Sequence, residues 1–368
     1  MKTIYTFILL SFCCVVKAQL IINSTQTPTQ LVQNVFSNSG LTATNIKFNG
    51  SLTKANIICD QAAEFLTGIT PTNLILDHGI LLTTGKSSLA IGPNNDSGLS
   101  TPSNSTVQGD VDLALLTSQV INKVAVLEFD FVATGTTLSF QFVFGSEEYP
   151  EYVNSQFNDV LGFFVSGPGI AGPFLGGAKN IAFVPNTTIP FSINAVNNGF
   201  NNDGILLSEQ FPSFYYNNSM IGINPNPISN STIQYDGFTK PISVYTDLQL
   251  GEIYHIKYAI ANVTDNSFDS GVFIKNFNLL NLGVDKKEVD SKFSIYPNPS
   301  NDIVTISNPS KLLVTAINIT DINGRIVENI TQDYLSDINL NISKLKSGIY
   351  FLEIISNGTK TIQKIIKN

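Results

Sequence analysis

The chain has 368 residues, of which 43% are hydrophobic and only 13% charged, and its net charge is −8. That much apolar material can bury a large core, which excludes wholesale disorder, and the length suits two domains or one large β domain with a small companion. With 20 Lys and Arg against 28 Asp and Glu and no dense basic patch, the footprint of a nucleic-acid binder is missing, and the acidic balance argues against an anionic membrane as partner.

Residues 1–18 read as a secretory signal peptide. Lys2 supplies the positive start, IYTFILLSFCCVV the short apolar segment, and Val16 and Ala18 the small or modest residues that permit cleavage before Gln19. The apolar run is too short to span a bilayer comfortably, and no later stretch is long enough, so an integral membrane protein is not expected. Cys13 and Cys14 leave with the signal. Cys59 then stands alone as a small buried hydrophobe, and no internal disulfide can form.

The opening of the mature chain is mixed. TQLVQNVF (29–36) groups Leu31, Val32, Val35 and Phe36 on one helical face, with Thr29 as the expected N-cap. CDQAAEFL (59–66) is expected to form a second short helix closed by Gly68. GILLTTG (79–85) reads as a buried strand, 91–110 as a long loop rich in Gly, Pro, Ser and Asn, and GDVDLALLTSQ as a short helix with acids at its start.

From 124 onward the pattern becomes β. VAVLEFDFVATGTTLSFQFVFGS gives two strands around a turn at Gly135. Leu127, Phe129 and Phe131 share one face, and Leu138, Phe140, Phe142 and Phe144 another, together forming one inner wall of a sandwich. VLGFFVSG, NIAFVP, PFSINAVN, QYDGFTK, ISVYTDL, YHIKYAIANV and SGVFIKNFNLL are further strand candidates. Short strands at this spacing predict a mainly β chain: a large, jelly-roll-like sandwich with a few short helices near its N-terminus. GVDKKEVDSK contains the expected linker, 285–292. It separates a domain at 19–284 from a small all-β unit at 293–368, whose strands join at Pro-Asn-Pro, Asn-Gly and Ser-Gly turns.

Two resemblances sharpen this division. YPNPS (296–300), DINGRIV (321–327), LKSGIYFLEI (345–354) and the basic end KTIQKIIK resemble the type A sorting domain of the type IX secretion system of Bacteroidetes. That resemblance implies an Ig-like sandwich at 293–368 that engages the outer-membrane translocon, and a product released or held at the outer cell surface. GILLTTG, GDVDLALL, the run 124–169, NIAFVPNTTIPFSINAVN, QYDGFT and YHIKYAIANVTDNSFDSGVFI resemble the choice-of-anchor L domain of secreted bacterial proteins. That family name implies architecture and location rather than a chemistry.

The segment FGSEEYPEYVNSQFNDVLGFF stands apart, because Glu147, Glu148, Glu151 and Asp159 crowd together there with no Lys or Arg to balance them. Three readings compete. One is a Ca²⁺ site drawing on Glu147, Glu148, Asn158 and Asp159 together with Asp269 from the second acidic segment TDNSFDSGVF, since Ca²⁺ takes oxygens from carboxylates, amides and backbone. Another is a glycosidase pair, Glu148 with Asp159, although the chain has no tryptophan to form a sugar platform. The third is a set of charged loop tips that solubilise the sandwich. Adjacent Glu147 and Glu148 are expected on opposite faces wherever the strand continues. The two histidines, His78 and His255, lack a catalytic setting, and His255 alternates within a strand as a satisfied or surface residue. The expected function is that of a secreted, non-enzymatic binding or adhesion protein with a glycan or matrix ligand, the alternative being a secreted carbohydrate-active hydrolase. FYYNNSM (214–220) is the candidate contact surface.

Overall fold

A computed structural model describes residues 20–36, 41–67, 74–102, 107–201, 203–208, 210–219, 232–280, 293–309, 311–321, 325–356 and 359–368. The expected signal peptide at 1–18 and linker at 285–292 lie outside them. The chain divides into two compact units, Met1–Gly283 and Val284–Asn368.

The first unit contains, in chain order, β1 (Leu20–Asn23), α1 (Pro28–Val35), β2 (Ala43–Phe48), α2 (Leu52–Ala55), β3 (Ala62–Thr67), β4 (His78–Thr83), β5 (Ile121–Val132), β6 (Thr137–Ser146), β7 (Val160–Ser166), β8 (Lys179–Asn180), β9 (Tyr215–Asn217), β10 (Gly237–Thr239), β11 (Ile242–Asp247), β12 (Ile253–Val263) and β13 (Ser270–Leu280). One sheet runs β1-β3-β4-β13-β6-β10-β9, with β11 also paired to β6. The other runs β2-β5-β12-β7-β8. Their facing surfaces enclose one aromatic core, in which Phe140 and Phe142 of β6 meet Phe163 of β7 edge-on at 5.2 and 5.0 Å between ring centres.

The phenylalanine-rich strands β5 and β6 therefore do not pair with each other. They belong to opposite sheets, and their aromatic faces form two walls of the core instead of one. The chain crosses between layers at the Gly135 turn, where a Cβ would lie 2.6 Å from the backbone of Leu279. A glycine is required there because no side chain fits so close an approach.

Local signals set some elements and tertiary pairing overrode others. The cap of the first helix lies two residues before the expected one: Thr27 is the N-cap, Pro28 occupies the first turn, and Thr27 and Gln30 form a reciprocal capping box. The expected helix at 59–66 is mostly strand, because Ala62–Thr67 is hydrogen-bonded between β1 and β4 and its alternation buries Phe65. GDVDLALL forms only a single helical turn at Leu113–Leu115, whose amide start is held by Asp110 Oδ1. Of NIAFVP, only its first residue, Asn180, joins a sheet, as the end of β8, and PFSINAVN is largely irregular.

The second unit has a three-stranded sheet, β14 (Ser294–Tyr296), β15 (Ile303–Ser307) and β18 (Ile338–Asn341). Facing it is a four-stranded sheet of β17 (Ile326–Ile330), β16 (Val314–Asp321), β19 (Gly348–Ser356) and β20 (Thr359–Lys367). Val304, Ile306, Ile317, Ile319, Leu352 and Ile354 fill the space between them, which makes the expected small sandwich. The YPNPS turn stays exposed at residues 296–299 while being tied to the terminal strand. Asn298 accepts from the Ile366 amide at 2.8 Å and donates to the Lys364 carbonyl at 2.8 Å.

Candidate functional site

The end of β6 carries the acidic segment. Ser146 is the last residue of the strand, and the chain then turns through Glu147, Glu148 and Tyr149. None of this lies in solvent: Glu147, Glu148 and Asp159 are each 0% exposed. The carboxylates are thus not solubilising loop tips.

Glu148 and Asp159 form one nest between the two sheets. Ser270, at the start of β13, donates its hydroxyl to Asp159 Oδ2 at 2.7 Å, and its oxygen lies 2.8 Å from that of Ser146. Asp159 Oδ1 accepts from the Val263 amide at 2.9 Å. Glu148 is different, because neither of its carboxylate oxygens has a hydrogen-bonding partner. Burial, reinforced by the charges of Asp159, Asp265 and Glu151, pushes the Glu148 carboxyl up to about 10. Burial raises Asp159 to about 8 and Glu151 to about 7. Glu151 Oε2 and Asn262 Oδ1 are also buried without a partner.

Glu147 belongs to a second nest. The antiparallel registers that set Gly237 and Ser270 against Ser146 bring Asp236 and Asp269 to either side of Glu147. Burial, then the charges of Asp236, Asp269 and Asp96, push its carboxyl up to about 10. Both of its oxygens are unpartnered. Gln234 lies beside it, but the Gln234 amide donates to Asn94 Oδ1 at 3.1 Å and to the Asp96 carbonyl at 2.9 Å instead. The neighbours differ for the two glutamates, as expected of adjacent residues facing opposite ways. Gly237 must lack a side chain, since a Cβ would sit 2.6 Å from the buried Tyr149 ring.

The five sequence-nominated residues therefore do not form one cluster. Asp269 already has its partners: Lys123 Nζ lies 3.0 Å from Oδ1, and Thr101 donates to Oδ2 through its amide at 3.0 Å and its hydroxyl at 2.6 Å. Asn158 uses its Oδ1 to accept the Asn194 amide at 2.7 Å, which fastens a neighbouring loop. The acid that joins Glu148 from the second segment is Asp265 rather than Asp269. Among the described residues, no group of three or more His, Cys, Asp or Glu side chains is arranged to hold a metal ion by itself. Any ion here must complete its shell from amide and backbone oxygens, which Ca²⁺ accepts.

Sequence reasoning passed over Asp236, Asn94, Asn218 and Asn262. Asp236 stands in QYDGFT, an otherwise apolar segment that enters a sheet, and a carboxylate in such a place was the available signal. His255 donates to Asp130 Oδ1 at 2.7 Å and to Glu128 Oε2 at 3.2 Å, so it is a satisfied, half-buried histidine. FYYNNSM does not project as a contact surface. Tyr215, Asn218 and Ser219 are buried, Tyr216 packs on Phe238, and Met220 lies outside the described residues. No helix among the described residues is long and apolar enough to cross a membrane.

Comparison with known proteins places this geometry in a family. Residues 20–279 match the choice-of-anchor L domain, and residues 294–368 match the secretion system C-terminal sorting domain. No curated protein matches the chain. Among solved structures, the adhesin domain of Epf from Streptococcus pyogenes is 10% identical over 66% of this chain and 71% of its own, with a TM-score of 0.18. A β-1,2-glucanase from Parabacteroides distasonis is 5% identical over 95% of this chain and 37% of its own, with a TM-score of 0.21. Likenesses this weak carry no weight for fold or function. The two family matches cover nearly all the described residues, and by them the chain belongs to the choice-of-anchor L family and is a secreted, cell-surface protein with the sorting domain of type IX export.

Proposed function

We propose that this protein is a non-enzymatic binding or adhesion module, displayed outside the cell, whose contact loop is held in place by a calcium-organised acidic nest. The observation that carries the reading is a hairpin at 197–210. It closes through the backbone pair Asn197–Gln210 and holds Ile205, Leu206 and Leu207 out in solvent, at 55%, 57% and 50% exposure. Three consecutive apolar side chains kept in water mark a contact surface rather than a core defect. A matrix protein suits such a strip best, and a glycan is the other ligand class.

The hairpin is fastened to the acidic segment. Asn154 Nδ2 donates to the Ser208 carbonyl at 2.9 Å, the Asn154 amide donates to Asn194 Oδ1 at 2.6 Å, and Tyr149 Oη donates to the Val196 carbonyl at 2.7 Å. A Ca²⁺ held by Glu148 and Asp159, with amide and backbone oxygens completing its shell, would order residues 147–159 and, through them, the hairpin. Hydrolysis is disfavoured because Glu148 and Asp159 are sealed from solvent, whereas a glycosidase needs its carboxyl pair open to the sugar.

The test is binding of the purified full chain to immobilised matrix proteins and glycans, beside a variant with Ile205, Leu206 and Leu207 all changed to Ser. The variant should melt like the wild type but retain less than about a tenth of its binding. Equal binding by both proteins would remove the hairpin from the account. Turnover of a polysaccharide that disappears in Glu148→Gln would establish the hydrolase instead.

A further inference from the structure

We propose a second cation site, on the other side of the β6 terminus, in which Glu147 and Asp236 hold one Ca²⁺ with the amide oxygen of Asn218 completing the protein ligands. It shares no ligand with the Glu148–Asp159 nest, so either site can fail without the other.

The inference rests on a surplus of acceptors with no donor left to meet them. Both oxygens of Glu147, Oδ2 of Asp236 and Oδ1 of Asn218 are buried and unpartnered. All three residues are 0% exposed. The amide groups that surround them are already committed. Asn94 Nδ2 donates to Asp236 Oδ1 and to the Asn218 carbonyl, the latter at 2.9 Å. Asn218 Nδ2 donates to the carbonyls of Ile233 and Tyr235 at 3.1 and 2.8 Å. Gln234 Nε2 donates to Asn94 Oδ1 and the Asp96 carbonyl. The nearby lysine, Lys123, is spent on Asp269 and the Thr101 carbonyl.

Protonation alone does not resolve this arrangement. A neutral Glu147 would carry an O–H group that also needs an acceptor, neither oxygen makes a geometrically sound hydrogen bond, and Gln234 beside it already gives its amide to Asn94 and Asp96. An unmet buried polar group costs about 1–3 kcal/mol, and an unmet charge more. A cation meets several oxygens at once. The donor set is oxygen throughout, with no His or Cys, which selects a hard ion over zinc. Its carboxylates and amides on separate segments suit the irregular shell of Ca²⁺ better than the strict octahedron of Mg²⁺. Such an ion would fasten three segments to the β6 end: the loop at Asn94–Asp96, the residue after β9, and the approach to β10. The exposed Asp96 lies at the rim, where its charge would draw a cation inward.

The test counts ions on the full chain by calorimetric titration with Ca²⁺. Tyrosine-sensitised Tb³⁺ luminescence provides a second readout, made clean by the absence of tryptophan. Wild type should bind two equivalents, Asp236→Asn and Glu147→Gln one each, and Glu148→Gln also one. The double variant Glu147→Gln/Glu148→Gln should bind none, and Mg²⁺ should compete at least about tenfold more weakly than Ca²⁺. One equivalent in wild type that survives Asp236→Asn but not Glu148→Gln would overturn this site and leave the first standing. One equivalent lost in Asp236→Asn but kept in Glu148→Gln would support it and remove the first. No binding at all would overturn both. Should the variants fail to fold, anomalous scattering from Tb³⁺ in wild-type crystals decides, since no peak between Glu147 and Asp236 would end the proposal.

Discussion

Ser270, the first residue of β13, donates its hydroxyl to Asp159, the residue just before β7, across the interior of the sandwich at 2.7 Å. This contact joins the two acidic segments, which lie far apart in sequence and enter different sheets. Ser270→Ala removes it and leaves Asp159 Oδ2 unmet. Leaving a buried acceptor unmet costs about 1–3 kcal/mol, so the variant should lose that much stability in urea denaturation of the sandwich. A loss below about 0.5 kcal/mol would mean that the contact is incidental.

The acidic nests should make the metal-free protein sensitive to alkali. Burial, together with neighbouring acids, raises Glu147 and Glu148 to about 10 and Asp159 to about 8, and burial raises Asp236 to about 8. These values lie above those of the unfolded chain, so the folded state holds protons that the unfolded state has released. The stability they contribute is complete below about pH 4 and is lost as pH rises through the folded values. In EDTA the melting temperature should therefore fall steadily from about pH 5 to pH 9. Calcium should flatten the fall, because it stabilises the ionised forms. His255 adds a smaller slope of the same sign: burial opposes its protonation, but hydrogen bonds to Glu128 and Asp130 outweigh that and raise it. Calcium should leave that part unchanged, and His255→Asn should remove it. A melting temperature that rises with pH in EDTA would contradict the assignment.

Lys123 is the counter-charge that pairs with Asp269 beside the acidic nests. The pair is buried, with its atoms 3.0 Å apart. Removing one partner of a buried ion pair costs about 3–5 kcal/mol because the other charge is left uncompensated. Lys123→Met should show that loss by denaturation, and adding Asp269→Asn should recover more than half of it. If the double variant is no more stable than Lys123→Met, the two residues are not coupled.

The second unit makes a prediction about export. Residues 296–299 of YPNPS are exposed yet pinned to the terminal strand by Asn298, so the turn and β20 present one continuous feature for recognition. Deleting residues 290–368 should leave the rest of the chain folded in the periplasm, as fractionation and blotting would reveal. Asn298→Ala should reduce export while the unit stays folded. Normal surface delivery of the deleted chain would show that export reads another signal.

The β character, the sandwich and the small C-terminal unit were legible because period-two alternation and turn residues are local. The sheet partners of β5 and β6 were not, since a Gly135 turn between two aromatic strands fits a hairpin and a crossing between layers equally well. Ala62–Thr67 misled for a related reason: AAEFL favours a helix by propensity, and only its pairing with β1 and β4 makes it a strand. At the site, the concentration of Glu147, Glu148 and Asp159 was visible as a charge anomaly. The direction each faces depends on register across β13 and β10, which places Asp236 beside Glu147 and Asp265 near Glu148, and one sequence does not encode that register in any short window. The commitment of Asp269 to Lys123, 146 residues away in sequence, was equally hidden.

On the proposed function, Glu148, buried and unpartnered, binds a cation. Calorimetric melting of the full chain and of Glu148→Gln, each with EDTA and with Ca²⁺, tests it most directly. At about a hundred times its dissociation constant, one bound ion adds about 2.7 kcal/mol. For a domain of this size that raises the wild-type sandwich transition by about 5–10 °C. Glu148→Gln should match or exceed the wild type in EDTA, since it removes a buried acid, and should gain distinctly less from calcium. Identical melting of the wild type with EDTA and with calcium would contradict the account.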